Sequence, residues 1–207
     1  PARQREAASG RWQRRILPRL AGKTLGLVGL GAIGKAMVPR ALGLGMRVIA
    51  HDPVPDRDFA QRHGVRLCPF DQLLAEADVV SLHLPCTPET TDLINRRTLA
   101  KMKRGAILVN TARGGLVDED ALADALEGGR LRAAALDVFK IEPLPPDSPL
   151  AHMDNVVLCP HVGGTDEESL AAMSEMAARN VVDLYQGRWP PGRRIVNPQV
   201  RDRWRWQ

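Results

Sequence analysis

Cysteine is scarce in this 207-residue chain, long apolar runs are missing, and the histidines do not cluster. Cys68, Cys86 and Cys159 are too few and too scattered for a disulfide framework, and none belongs to a C-x-x-C zinc pair. They are expected to be reduced and mostly buried. His51, His63, His83, His152 and His161 form no i,i+4 pair and no Cys/His cluster of ligand spacing, which argues against a metal centre. No apolar run approaches the roughly 18 residues that cross a bilayer, and no signal-peptide pattern opens the chain. A soluble cytoplasmic protein without membrane partners is expected.

The net charge of +5 would suggest nucleic-acid binding if it were spread over a groove. It is not. Residues 1–24 carry +6 and residues 187–207 carry +5, so the whole-chain value of +5 leaves the intervening body at −6. An acidic body with basic ends is not a nucleic-acid surface.

Hydrophobic residues at 44% and charged residues at 26% are ordinary for a globular fold with a packed core. The chain begins at Pro1 rather than Met, and it is expected to start inside a longer gene product. Residues 1–21 are basic and read as a helix end and linker. From Thr24 onward, short apolar runs alternate with glycine-rich turns and amphipathic stretches, the grammar of βαβ units. Strands are predicted at Thr24–Val28, Arg47–Ala50, Asp78–Leu82, Ala106–Val109, Ala133–Leu136 and Asn155–Leu158, with a weaker one near Val65. Their apolar character with little alternation fits parallel strands covered on both faces. The predicted class is α/β, a doubly wound parallel sheet over residues 22–187 followed by a tail over 188–207. Asp118 is predicted to cap a helix over Glu119–Glu127, stopped by Gly128 and Gly129. Thr165 and Glu168 form a capping-box pattern opening a helix that runs to about Gln186.

Gly29-Leu30-Gly31-Ala32-Ile33-Gly34 follows the first strand and opens a helix, the context in which G-x-G-x-x-G cradles a pyrophosphate. Lys35 is placed to assist. Asp52 ends the second strand, where a carboxylate accepts hydrogen bonds from the adenosine ribose, so NAD is the expected cofactor. That carboxylate repels the additional phosphate of NADP, although Arg57 nearby leaves some NADP use open. Ligands of open α/β sheets sit beyond the carboxyl ends of the strands. There the sequence places Asn110-Thr111-Ala112-Arg113-Gly114-Gly115, then Asp137 with Glu142 five residues on, then Pro160-His161-Val162-Gly163-Gly164. Arg113 offers a planar fork for a substrate carboxylate. His161 can exchange a proton with a carbonyl or hydroxyl oxygen, and Glu142 beside it would orient the ring and favour its protonated form. Asp137 is assigned to the nicotinamide side, and the prolines from Pro143 to Pro149 would stiffen the Glu142 loop.

These residues resemble the D-isomer-specific 2-hydroxyacid dehydrogenases. Gly29–Gly34, the stretch His83-Leu84-Pro85-Cys86-Thr87-Pro88-Glu89-Thr90, Asn110–Gly115, Asp137-Val138-Phe139 with Glu142-Pro143, and Pro160–Gly164 all stand where that family has them. The resemblance implies a Rossmann NAD-binding domain and small 2-hydroxy or 2-oxo acid substrates. It implies that Arg113 binds and polarises the substrate while Glu142 and His161 form the acid/base pair. It also implies cofactor contacts from Ala32, Ile33, Asp52, Leu84, Thr111, Ala112, Asp137 and Gly164, with Arg113 and His161 bordering the same cofactor. A homodimer is the family expectation. So is an N-terminal substrate domain, largely absent from this chain, with Pro1–Gln13 resembling the helix that leaves it and Ile195-Val196-Asn197-Pro198 a tail that returns to it. No regulatory domain is expected after Gly187.

Glutamate at 142, where formate dehydrogenases have glutamine, argues against that relative, while phosphoglycerate, glyoxylate or hydroxypyruvate, and phosphonate-type enzymes share the motifs. An NAD(H)-sensing corepressor of the same fold is the alternative reading, with Arg11, Arg14, Arg15, Arg201, Arg203, Arg205, Trp204 and Trp206 as its partner surface, although these residues are expected to be solvated ends. An adenosylhomocysteine hydrolase would explain the glycine loop but not Arg113, Glu142 and His161 together. Cys159 as a nucleophile is discounted because it ends a buried strand.

Overall fold

Seven short segments become strands: β1 (Thr24–Val28), β2 (Arg47–His51), β3 (Arg66–Leu67), β4 (Val79–Leu82), β5 (Ala106–Asn110), β6 (Leu131–Leu136) and β7 (Val156–Leu158). The computed structural model describes residues 6–10, 18–191 and 195–205, and all the strands lie within them. They form one sheet in the order β3-β2-β1-β4-β5-β6-β7, with every pairing parallel. The helices are α1 (Ala32–Gly43), α2 (Arg57–Arg62), α3 (Phe70–Glu76), α4 (Arg96–Lys101), α5 (Glu119–Glu127), α6 (Pro149–His152) and α7 (Glu167–Tyr185). The seven strands and α1–α6 make up one compact unit, Pro1–His161, and α7 with the tail a second, Val162–Gln207.

The sheet is wound on both faces because alternate side chains leave a strand in opposite directions. Leu25 and Leu27 of β1 join Val38 and Ala41 of α1 in one buried cluster, whereas Val28 joins Leu73, Leu74 and Ala77 in the other. Val48 and Ala50 of β2 fall in the first cluster and Ile49 in the second. All five residues of β1 are buried, as a central strand requires. The edge strand β7 departs from the expected two-sided cover, with Val157 42% and Leu158 36% exposed.

That departure also corrects the reading of the cysteines. None is buried: Cys86 is exposed, while Cys68 and Cys159 are only half-buried. Cys159 follows an edge strand, not a covered one, and Cys86 lies in a loop.

Asp118 caps α5 as expected, its side chain accepting from the Ala121 N–H. The cap of α7 differs. Asp166, not Thr165, accepts the Ser169 N–H at 2.8 Å, and the Thr165 hydroxyl donates to the Val162 carbonyl at 2.9 Å. A carboxylate at the positive helix end carries full charge, so it outcompetes the neighbouring hydroxyl for the role. Within the second unit Trp189 and Trp204 pack edge to face at 6.1 Å, and the Arg201 guanidinium lies 6.0 Å from the Trp189 ring. These residues are therefore packed together rather than freely solvated. Arg11, Arg14, Arg15 and Trp206, and most of the helix end expected in residues 1–13, lie outside the described residues. No helix among the described residues is long and apolar enough to cross a membrane.

Gly26 shows how tightly α3 closes on β1, because a Cβ there would stand 2.7 Å from Leu73 Cδ2 and 2.8 Å from the Ala77 Cβ. We predict that Gly26→Ala destabilises the fold by about 1–3 kcal/mol through overpacking. A denaturant midpoint equal to that of the wild type would contradict this account.

Candidate active site

The strand order reverses between β1 and β4, and a crevice opens beyond their carboxyl ends. The Gly29 N–H donates to the His51 carbonyl at 2.8 Å, and the His83 N–H to the Val28 carbonyl at 2.7 Å, so the β1 and β4 loops part at this point. Each glycine of the first loop has its own reason. Gly29 has a φ of +97° and would place a Cβ 2.3 Å from the His83 carbonyl oxygen; Gly34 would place one 2.3 Å from the Gly29 oxygen. A Cβ at Gly31 would meet nothing within 4 Å, so the chain keeps open space at the middle glycine. Gly31 also begins α1 without any capping side chain, and no acidic residue stands in the first turn. Unclaimed N–H groups at a positive helix end beside open space fit a pyrophosphate.

Asp52 follows β2 and faces this loop. Its Oδ2 accepts the Leu30 N–H and its Oδ1 the Val54 N–H, both at 2.8 Å. The carboxylate is thus fixed at the loop, with lone pairs remaining to accept further hydrogen bonds. The Lys35 ammonium pairs with Asp56 Oδ2 at 2.5 Å and lies 5.3 Å from the Phe59 ring centre, because a carboxylate and an aromatic face are both within its reach.

Beyond β4 and β5 a cleft of about 390 Å³ is lined by Ile33, Leu84, Cys86, Thr111, Ala112 and Arg113, among others. The Arg113 backbone is held by Asn110, whose Oδ1 accepts the Ala112 N–H at 3.0 Å and whose Nδ2 donates to the Arg113 carbonyl at 2.8 Å. The guanidinium donates to the Ala112 carbonyl at 2.6 Å and remains exposed. Asn110 is 1% exposed. Its buried amide is a supporting part that the sequence reading left without a role, although Asn before a tight turn is a recognisable signal. His83, half-buried and 2.9 Å from the Ser81 hydroxyl through Nε2, is another, and burial pushes its imidazole pKa down.

Asp137 is buried after β6, its N–H donating to the Asn110 carbonyl at 2.9 Å. Glu142 and His161 meet: Nδ1 lies 2.8 Å from Glu142 Oε2, while Oε1 accepts the Phe139 N–H at 2.9 Å. The hydrogen bond from His161, then that from Phe139, hold the Glu142 carboxyl below its ordinary range, and the charges of His161 and Arg113 act in the same direction. Arg113, Glu142 and His161 therefore share one electrostatic neighbourhood. Phe139, Leu144, Leu158 and Pro160 line an apolar hollow of about 530 Å³ against the Glu142–His161 pair. His161 itself has a φ of +54°, in the left-handed region.

The loops bearing Arg113 and Glu142 are clamped together. A Cβ on Gly114 would stand 1.9 Å from the Phe139 carbonyl carbon, so the two backbones touch. Lys140 spans the same junction, its Nζ 2.6 Å from Asp92 Oδ1 and its N–H donating to Glu119 Oε1 at 2.6 Å. The Asp92 N–H in turn donates to the Gly115 carbonyl at 2.9 Å. These ties join residues far apart in the chain, and no local pattern announces them.

Comparison with known families matches residues 1–163 to the D-isomer specific 2-hydroxyacid dehydrogenase, NAD binding domain. The chain belongs to this family. Glyoxylate reductase of Korarchaeum cryptofilum is 47% identical over 179 residues, covering 86% of this chain and 53% of the relative. D-3-phosphoglycerate dehydrogenase of Archaeoglobus fulgidus is 42% identical over 199 residues, covering 95% of this chain and 37% of the relative. The chain thus spans about half or less of the length of these relatives. Among solved structures, the TT0316 protein of Thermus thermophilus superposes with a TM-score of 0.82 at 44% identity, over 92% of this chain and 61% of that one. D-lactate dehydrogenase with NAD+ from Lactobacillus jensenii gives 0.82 at 32% identity, over 90% and 61%. The fold is accordingly a Rossmann-type NAD-binding domain. Of the sequence-predicted site residues, Gly164 alone falls in the second unit; the others lie in the first.

The depressed Glu142 pKa sets a direction for acid titration. A carboxylate whose folded pKa lies below the unfolded one contributes stability that is fully present above the unfolded value and is lost as pH falls through the folded value. We predict that carboxyl ¹³C NMR finds the Glu142 midpoint below the ordinary value of about 4.3, and that Arg113→Gln raises it. A midpoint at or above the ordinary value would remove the basis for the pairing.

Proposed function

We propose that this chain holds NAD(H) along the carboxyl edge of its sheet and forms the catalytic half of an oxidoreductase interconverting small D-2-hydroxy and 2-oxo acids. The single observation that carries the reading is the Glu142–His161 contact at 2.8 Å in the electrostatic neighbourhood of Arg113. The names of the relatives, glyoxylate reductase, D-3-phosphoglycerate dehydrogenase and D-lactate dehydrogenase, support the substrate class.

In this reading the open space at Gly31 and the N-terminal turn of α1 receive the pyrophosphate, Asp52 the adenosine ribose, and the region of Leu84, Thr111, Ala112 and Asp137 the nicotinamide side. When bound, NADH would supply a hydride for the substrate C2, and NAD+ would accept one in the reverse direction. Arg113 receives the substrate carboxylate through its planar fork and draws electron density from the adjacent carbonyl. With Nδ1 facing Glu142, the Nε2 of His161 is the nitrogen free to donate a proton to the carbonyl oxygen, or to take one from the hydroxyl. Ionised Glu142 fixes the ring and stabilises its protonated form. The exposed surfaces of Arg113 and His161 would be closed over by the substrate domain of a complete enzyme, which would exclude water from the reacting atoms.

NADH titration followed by a panel of 2-oxo acids tests the proposal. The chain alone should bind NADH and turn over poorly; efficient turnover would refute the need for a substrate domain, and no NADH binding would refute the cofactor reading. In an enzyme completed by that domain, His161→Gln should leave NADH binding nearly intact and lower kcat by a factor on the order of 100 or more. An unchanged kcat would exclude His161 as the proton carrier. Arg113→Lys keeps the charge but loses the fork, so both substrate binding and rate should fall; wild-type kinetics would count against its role.

A further inference from the structure

The segment after β2 is the part of a doubly wound nucleotide fold that borders the adenosine ribose, where a carboxylate suits a hydroxyl and a cation suits the 2′-phosphate of NADP. In this chain the segment carries Asp52, Asp56, Arg57 and Asp58. Lys35, directly after Gly34, reaches across from α1 to join it. Its Nζ lies 2.5 Å from Asp56 Oδ2, and Asp56 is itself anchored because its Oδ1 accepts the Phe59 N–H at 2.9 Å and caps α2. The lysine contact is also the main cause holding the Asp56 carboxyl below its ordinary range.

We infer that Asp56 is a specificity-determining residue for the cofactor: by engaging Lys35 it withholds a cation that would otherwise meet the 2′-phosphate of NADP. The inference rests on the NAD reading of the glycine loop. Asp52 alone discourages a phosphate by repulsion, but Arg57 lies five residues on in the same segment, and Lys35 is held to that segment through Asp56. Arg57 is exposed and in no ion pair among the described residues. With Asp56 present, the carboxylates of Asp52, Asp56 and Asp58 balance the cations Lys35, Arg57 and Arg62. Without it the cations are in excess, and the lysine that faces this segment is free to turn to an incoming anion. Asp56 therefore acts without touching either dinucleotide, through the lysine.

Asparagine is the informative replacement, because it keeps a capping oxygen for α2 and removes only the charge. NADH and NADPH are titrated into the full chain as wild type, Asp56→Asn, Lys35→Met and the double variant, at low and at high salt. We expect Asp56→Asn to tighten NADPH binding by about five- to tenfold at low salt, the scale of one surface charge a few ångströms away. NADH binding should stay within about twofold, the gain should vanish in the double variant, and it should shrink as salt screens the charges. NADPH affinity unchanged in Asp56→Asn, with NADH still bound, would overturn the inference. So would a gain that persists without Lys35, or a loss of both cofactors in Asp56→Asn, which would mark the residue as structural. Failure of the wild type to bind NADH would instead overturn the cofactor reading itself, and this inference with it.

Discussion

The close approach of Gly29 to the His83 carbonyl governs the arrangement of everything above the sheet. With a would-be Cβ only 2.3 Å from that oxygen, the two central loops run as near to each other as peptide groups allow before they diverge. Because the neighbours of β1 and β4 lie on opposite sides, the chain leaves this point in two directions. One direction leads to Asp52, Asp56 and the N-terminus of α1. The other leads through β5 and β6 to Arg113, Asp137 and Glu142, and on to His161 past β7. On the proposed reading, cofactor recognition and acid/base chemistry are therefore distributed along one edge, with the glycine contact at their origin.

The strands were legible in the sequence because their signal is redundant. Val28 and Ile49 serve one buried face while Leu27 and Val48 serve the other, so each central run is apolar throughout and stands out from its flanks. β3 is weak in sequence for a physical reason: it contributes two residues, Arg66 and Leu67, to an edge. The exposed side of β7 was not legible, since Val157 and Leu158 look like core residues whether or not anything covers them. The shift of a cap from Thr165 to Asp166 reflects a choice between adjacent side chains that both qualify chemically.

The candidate site was legible where chemistry announces itself: an arginine, a glutamate, a histidine and a glycine loop, each after a strand. Its supports were not. Asn110 secures the Arg113 backbone from within its own turn, and a reader of motifs passes over it as part of a run. Lys140 and Asp92 are 48 positions apart, and Lys35 and Asp56 are 21 apart, so both pairs exist only once the strand order brings their loops together. Charged residues of this kind look like ordinary surface in a linear reading. Lys35 is instructive because proximity to the glycine motif suggested one partner, while geometry supplied another.

His161 combines two demands that seldom coincide, an imidazole aimed at Glu142 and a backbone turned to a φ of +54°. Few residue types accept that turn at modest cost: glycine, asparagine, aspartate and histidine do, whereas branched and bulky ones do not. On the proposed reading, sequence drift at this position is thus filtered twice, once by the main chain and once by proton chemistry. Of the side chains the main chain tolerates, only imidazole has an unperturbed pKa near neutrality. On that reading no single replacement restores both properties together: asparagine or glycine would keep the turn and give up the proton exchange.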